Sequence, residues 1–467
     1  MTASASATDS ASVTDSASAT DSASVTDSAS ATDSASATDS ASATDSASAT
    51  DSASATDSAS ATDSASSSGP GTDSSSSSNA VSDSASSSSS GDDTNGLCDD
   101  NGEPPPIEFS YIWIANSTQG TVSKIDTFTG VEVGRYQASP VAGPFAFGDG
   151  PSRTSVNLQG DVAVANRNGG ITKFAADPED CPDNNGNNIV DTSNGAGNVL
   201  PWGQDECMLW HHTTPPGAFN EGPRPIAWEA AIDPQTCLPD PNPRLWFGYY
   251  DQPGNNATFE RVDGSDGTTL DTVDVAWSGL NWGPYGGAVN AAGDFWVIGW
   301  QTGPTIRIDG ATLQVDNVGA VPNDWFYGMA LDQDGDPWVA GLELHHYDTA
   351  LGSWESFPFV TPFAFRGLQI DTEGRAFIAA NSPCGLSVFD TINEVVIDDL
   401  VPLAGCSEPV GVSIDVEGYV WVVDTGGWAY KVDPDNYVVV EQVFGLVNPY
   451  TYSDMTGAGL ALQIRPQ

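Results

Sequence analysis

The residues of this chain with chemistry to offer are four histidines, six cysteines, one Asn/Asp-rich loop and a few arginines. The histidines come as two adjacent pairs, His211 with His212 and His345 with His346. Neighbours on a strand point to opposite faces, so neither pair makes a ready ligand set or acid–base couple. No Gly-x-Ser-x-Gly elbow and no His-Glu-x-x-His helix is present. Between Cys181 and Cys207 runs Asp183-Asn-Asn185-Gly-Asn187-Asn-Ile189-Val-Asp191. It offers side-chain oxygens at its first, third, fifth and ninth positions and the carbonyl of Ile189 at the seventh, a spacing with which flexible loops wrap Ca2+. Glycine stands fourth instead of sixth, so Asn188 must take the left-handed conformation. The expectation is a structural calcium ion that orders an insertion; the alternative is an Asn/Gly-rich surface loop without metal. Zinc is the lesser choice, because no Cys-x-x-Cys or His-Cys spacing occurs.

The elements that must position these groups follow from a divided composition. Of 467 residues, the first stretch to about Asp93 has no aromatic residue and no Lys or Arg. A unit Thr-Asp-Ser-Ala-Ser-Ala/Val recurs there every six residues, with Thr from position 8 to 62. With only Ala and an occasional Val to bury, it cannot stack as a solenoid or offset the entropy of ordering. Residues 1–106 are therefore expected to be a disordered leader and linker, either a self-repelling spacer or a drifting low-complexity tract. Of the net charge of −50, 16 Asp lie before residue 101, leaving −34 on the remainder. That balance argues against nucleic acid as a partner. No apolar run is long enough to span a membrane. Six cysteines in a Trp-rich, Lys-poor chain suggest disulfides and an oxidising compartment: extracellular, periplasmic or tethered at an outer surface. Because Met1 leads straight into the repeat, an export signal is expected upstream of it.

From residue 107 to 467 the chain reads as all-β. Three clear repeats are Gly328-Met-Ala-Leu-Asp332-Gln-Asp-Gly-Asp-Pro-Trp-Val-Ala, Gly367-Leu-Gln-Ile-Asp371-Thr-Glu-Gly-Arg-Ala-Phe-Ile-Ala and Gly411-Val-Ser-Ile-Asp415-Val-Glu-Gly-Tyr-Val-Trp-Val-Val. Each is a hairpin turned by Asp-x-x-Gly, followed by a second hairpin such as Ile306-Arg-Ile-Asp309-Gly. Looser copies anchor at Asn157, Asp233 and Asn290. The later spacing of about 40–45 residues is that of propeller blades. Tyr111–Asn116 and the two hairpin strands after it lack a partner, which Gly459-Leu-Ala-Leu-Gln-Ile464 is expected to supply, closing a ring of seven four-stranded blades. With strands named a to d from the axis outward, the b–c and d–a connections share one face. Cys384 and Cys406 both fall there and are expected to pair. On the other face Cys181 with Cys207 and Cys98 with Cys237 are favoured, the pairing among those four being open.

The signature Gly-ϕ-x-ϕ-Asp-x-x-Gly-x-ϕ-Trp-Val (ϕ apolar) and the following Ile-Asp-x-x-Thr-Gly turn resemble the virginiamycin B lyase and NHL-type propellers of bacteria over residues 109–464. That resemblance implies a propeller, and in the lyases it implies His and acidic groups with a magnesium ion at the channel mouth. The positions flanking strands a and b carry no His in this chain. They carry Arg153, Arg167 and Arg366 beside Trp228, Glu229, Tyr285 and Tyr327. Guanidiniums among aromatic faces suit a carboxylated, sugar-like or peptide ligand. The expectation is a monomeric, exported propeller that binds a small molecule, glycan or protein at its mouth without catalysis; the alternative is a metal-assisted lyase- or hydrolase-like enzyme.

Overall fold

A computed structural model describes residues 110–140, 150–232, 239–277, 282–300, 303–321, 324–362 and 364–463. The leader and the expected Cys98–Cys237 pair lie outside these residues. Seven antiparallel meander sheets form the blades. Blade 1 has three strands, β1 (Tyr111–Asn116), β2 (Thr121–Asp126) and β3 (Glu132–Gln137). Blade 2 is β4 (Pro151–Val156), β5 (Val162–Asn166), β6 (Ile171–Phe174) and β7 (Met208–His212). Blade 3 is β8 (Ile226–Trp228), β9 (Leu245–Asp251), β10 (Asn256–Val262) and β11 (Thr269–Ala276). Blade 4 is β12 (Pro284–Val289), β13 (Phe295–Gly299), β14 (Thr305–Ile308) and β15 (Val315–Gly319). Blade 5 is β16 (Gly328–Leu331), β17 (Pro337–Ala340), β18 (Leu344–Asp348) and β19 (Ser353–Phe357). Blade 6 is β20 (Phe365–Ile370), β21 (Arg375–Asn381), β22 (Cys384–Asp390) and β23 (Val395–Pro402). Blade 7 is β24 (Pro409–Ile414), β25 (Val420–Asp424), β26 (Trp428–Val432) and β27 (Val439–Phe444). The seven-bladed, all-β reading holds.

The turn carboxylates explain why the repeat recurs. Oδ1 of Asp332 accepts from the amides of Asp334 and Asp336, while Oδ2 accepts from the Trp338 indole at 2.8 Å. Asp415 repeats this with Glu417, Tyr419 and Trp421. One side chain thus closes the a–b turn and fixes the Trp that fills the space between blades. Blade 3 corrects the expected anchor. Glu229 accepts from the Trp246 indole at 3.0 Å, and Ile232 pairs with Pro239 inside a turn insertion. Asp233 itself lies outside the described residues. The Asp-Pro of the insertion imitated the turn pattern.

Ring closure is also corrected. Residues 459–463 do not add a strand; α1 (Ala458–Gln463) is a short helix. Its N-terminal amides are gathered by Asp454, which accepts from Gly457 at 2.8 Å and Leu460 at 3.2 Å. The segment just before it runs along β1 instead. The Tyr450 amide donates to the Ala115 carbonyl at 2.9 Å, and the Trp113 amide donates to the Met455 carbonyl at 2.9 Å. Between them the Ala115 amide meets Thr451 Oγ1 at 2.8 Å. An irregular stretch thereby stands in for strand a of blade 1. Of the expected disulfides, Cys181–Cys207 and Cys384–Cys406 are formed, with Cα separations of 4.5 and 6.1 Å.

A methyl group at Gly411 would overlap the Thr451 carbonyl oxygen. Gly411→Ala should therefore loosen the closing segment and cost about 1–3 kcal/mol, read as a lower urea midpoint with an unchanged slope.

Candidate binding site at the channel mouth

Strand a of several blades begins with a register shift against strand b: between Pro151 and Arg153, between Pro284 and Gly286, between Phe365 and Leu368, and between Pro409 and Gly411. Such a bulge leaves a residue out of the ladder and re-aims its side chain. In blades 4 and 6 the bulged residues are Tyr285 and Arg366, and in blade 5 Tyr327 precedes β16. Gly286, Gly328, Gly367 and Gly411 follow in the same repeat position, where the backbones of adjacent blades crowd together. Blade 2 has Arg153 at this place, and its side chain enters the channel.

The Arg153 guanidinium crosses to blade 4, where Nη2 donates to the Tyr285 carbonyl at 2.9 Å. It lies on the ring of Tyr452 and 4.8 Å from that of Tyr285. Arg167 sits between Phe219 and Tyr450, 4.7 and 4.8 Å from their centroids. Arg366 stands 4.6 Å over Tyr327 and approaches Glu408 at 3.7 Å. The phenols of Tyr285 and Tyr327 both meet that of Tyr450, the first at 3.3 Å. Tyr285, Tyr327 and Tyr452 are buried as one cluster, with Trp282, Trp300 and Tyr450 packed partly exposed against it. Trp325, 53% exposed, extends this rim with its ring 6.4 Å from Trp300.

Arg224 joins the site and was not anticipated. Glu229 fixes the register of blade 3, and five residues before it Arg224 falls where blade 4 has Tyr285 five before Asn290. It is 1% exposed, donates to the carbonyls of Phe219 at 2.7 Å and Asn220 at 2.8 Å, and lies 4.9 Å from the Trp282 ring. The carboxylate-to-indole pairing of Glu229 with Trp246 was the signal that could have found it. The same shift removes two expected members. Trp228, 1% exposed, pairs with Leu245 at the turn end of β8 and donates its indole to the Ser155 carbonyl. Glu229 follows it there and binds Arg244 at 2.6 Å and Arg261 at 3.4 Å. Both serve the face opposite the mouth.

The charge pattern separates the mouth from the rest. Arg135, Arg244, Arg261, Arg307, Arg366 and Arg375 each reach a carboxylate. Arg153, Arg167 and Arg224 form no such pair among the described residues; Arg153 and Arg224 meet carbonyl oxygens and ring faces, Arg167 meets ring faces, and Nε of each is buried without a hydrogen bond. Burial pushes the Arg153 and Arg224 guanidiniums down to about 9, so both are still cationic at neutral pH. Burial likewise pushes the Tyr285 phenol up. Burial also acts on Tyr450, but Arg167 and the hydrogen bonds shared with Tyr285 and Tyr327 outweigh it and hold Tyr450 below the ordinary phenol range. Beneath this layer an apolar cavity of about 40 Å³, lined by Ala227, Ala288, Ala330 and Leu460, ends against α1.

None of the four histidines meets a mouth arginine or tyrosine among the described residues. His211 and His212 end β7, an outer strand, and do not lie in the insertion. His345 Nε2 meets Asp324 at 2.6 Å, tying a d–a connection to blade 5. His346 stacks on Trp338.

In the insertion, Asp183 accepts from the amides of Gly186, Asn187 and Asn188, and Asn188 has φ 64° as expected. Asn185 and Asn187 turn towards Asp191 at 2.8 and 3.0 Å. The Ile189 amide donates to Asn187 Oδ1. Glu206, 4% exposed and not anticipated, accepts from the amides of Asn184, Asn185 and Asp191. Its place beside Cys207, the residue that closes the loop, was the available hint.

No protein-family model matches this sequence, and no curated protein does. Solved structures do match. A streptogramin B lyase is 14% identical with a TM-score of 0.48, covering 68% of this chain and 87% of that one. A protein of unknown function from Bacteroides caccae is 13% identical with a TM-score of 0.41, covering 63% and 94%. A virginiamycin B lyase from Staphylococcus aureus is 13% identical with a TM-score of 0.44, covering 66% and 89%. These are likenesses at low identity; the seven-bladed propeller stands on the blade sheets described above.

Proposed function

We propose that the mouth binds a short carboxylated sugar. The observation that carries this reading is the set of three buried guanidiniums, Arg153, Arg167 and Arg224, that meet no carboxylate among the described residues of a strongly acidic domain. Burying a cation is costly unless it is paired, and a ligand carboxylate would pair it through charge-assisted hydrogen bonds. The partly exposed Trp282, Trp300 and Trp325 supply ring faces suited to a sugar. A net charge of −34 beyond the leader repels long polyanions, which favours a short ligand. Export to an oxidising compartment fits the two disulfides.

Calorimetric titration with a galacturonate trimer against a neutral glucose trimer tests the reading. The acidic trimer alone should bind, and Arg167→Ala should weaken it by about 10- to 100-fold, the equivalent of about 1.5–3 kcal/mol for a hydrogen bond to a charged group. Equal binding of both trimers would sink the idea. Affinity should hold between about pH 6 and 8 and fall above about 9, because Arg153 and Arg224 lose their protons there. That loss weakens attraction for an anion.

A second reading concerns the insertion. We propose that Asp183, Asn185, Asn187, the Ile189 carbonyl and Asp191 hold a structural Ca2+. Glu206, brought to the foot of the loop beside the Cys181–Cys207 bond, supports it. Calcium at 100 times its dissociation constant would add about 2.7 kcal/mol. A rise in thermal midpoint with Ca2+ that is lost in Asp183→Ala is expected; an identical midpoint with Ca2+ or chelator would overturn it.

A further inference from the structure

Tyr450 is set apart from the other mouth tyrosines by where it stands. With Tyr452, it comes from the closing segment and not from a blade. Its phenol oxygen is the shared partner of the Tyr285 and Tyr327 hydroxyls, and its ring borders the Arg167 guanidinium at 4.8 Å. Tyr452 meets it edge-on at 5.4 Å. Unlike Tyr285, Tyr327 and Tyr452, it is not fully buried. A phenol that shares hydrogen bonds with two others beside a guanidinium is stabilised as its anion, because the anion can accept from both, and an anionic phenol that is not fully buried can take a proton.

We propose that Tyr450 is the proton acceptor of a β-elimination on a 1,4-linked uronate held at this mouth, with Arg167 on the uronate carboxylate. The inference rests on the carboxylated-sugar reading above and assigns a reaction to the same site. A carboxylate paired with Arg167 makes the hydrogen on the adjacent carbon, C5, removable, because the negative charge that develops is spread onto oxygens facing a cation. Tyr450 Oη takes that proton. The electron pair of the C5–H bond becomes the C4–C5 double bond, and the C4–O bond to the next sugar breaks. The departing oxygen takes the same proton back from Tyr450, restoring the phenolate. Nothing is oxidised or reduced, and the step consumes no co-reactant. Tyr285 and Tyr327, whose burial pushes both phenols up, remain protonated donors throughout. Burial, Arg167, the two donors and Arg153 together leave Tyr450 as the mouth phenol that ionises first.

The test uses the full chain with galacturonate and mannuronate trimers and reads the ultraviolet absorbance of the unsaturated carboxylate formed. The wild-type protein should generate that absorbance, and Tyr450→Phe should lower its rate by at least about 100-fold while trimer affinity measured by calorimetry changes little. A spectrophotometric titration of both proteins, which needs no substrate, should show one phenol ionising below the rest in wild type and missing in Tyr450→Phe. Trimer binding without unsaturated product, or product formed equally by Tyr450→Phe, would overturn the elimination and leave the binding reading standing. Superimposable phenol titrations would overturn the role of Tyr450. Failure of either trimer to bind would overturn the binding reading, and the elimination with it.

Discussion

The ring depends on a few hydrogen bonds between the first blade and the last described residues. The Ala115 carbonyl and amide and the Trp113 amide are met by Tyr450, Thr451 and Met455, so chain segments more than 300 residues apart are joined only when the other six blades have stacked. A propeller without that seam would leave the inner edge of β1 open, and open edges invite association with other chains. The seam is irregular, and its irregularity has a use. A regular strand would direct alternate side chains into the blade packing. The Pro449–Met455 stretch sends both Tyr450 and Tyr452 to the channel, where each borders a mouth arginine. Closure and site assembly are one event.

Crowding at the axis explains what surrounds the seam. Where Gly328, Gly367 and Gly411 lie, a methyl group would meet the backbone of the next blade. Blades 2 and 3 escape this constraint by carrying Arg153 and Pro225, and the room they leave is filled by the guanidiniums of Arg153 and Arg224. The mouth is therefore asymmetric by construction: cations arise from blades 2, 3 and 6, phenols from blades 4 and 5 and the seam. α1 stops the opposite end of the channel, so the layer is approached from one face.

Much of this was legible in the chain. Blades 5, 6 and 7 could be read because Asp332, Asp371 and Asp415 each combine turn closure with a fixed distance to the next strand. Blade 3 could not, because a turn insertion offered Asp233 in an equally turn-like setting, and only the indole of Trp246 decides for Glu229. That four-residue displacement carried Trp228 and Glu229 to the wrong face and hid Arg224. The last element was misread for another reason. Leu460, Ala461 and Leu462 fit a strand or a helix in so short a run, and the arbiter is Asp454, whose carboxylate gathers the helix amides from outside the run.

The sorting of carboxylates is what gives the mouth its chemical character. Elsewhere acids do structural work: they accept from backbone amides, indoles, arginines and lysines, as Asp415 does from Lys431 at 3.0 Å. Near the mouth the same work continues one layer out, where Asp424 binds the amides of Ser407 and Glu408 and Asp324 binds His345. Inside that layer tyrosines take the place of acids. A phenol can stack on a guanidinium and satisfy a neighbouring hydroxyl without cancelling the cation, whereas a carboxylate at the same point would neutralise it. Four arginines can thus be held close together at modest repulsion while their positive field faces the opening. Tyr450 borders that layer beside Arg167, which with its two phenol neighbours holds its phenol below the ordinary range.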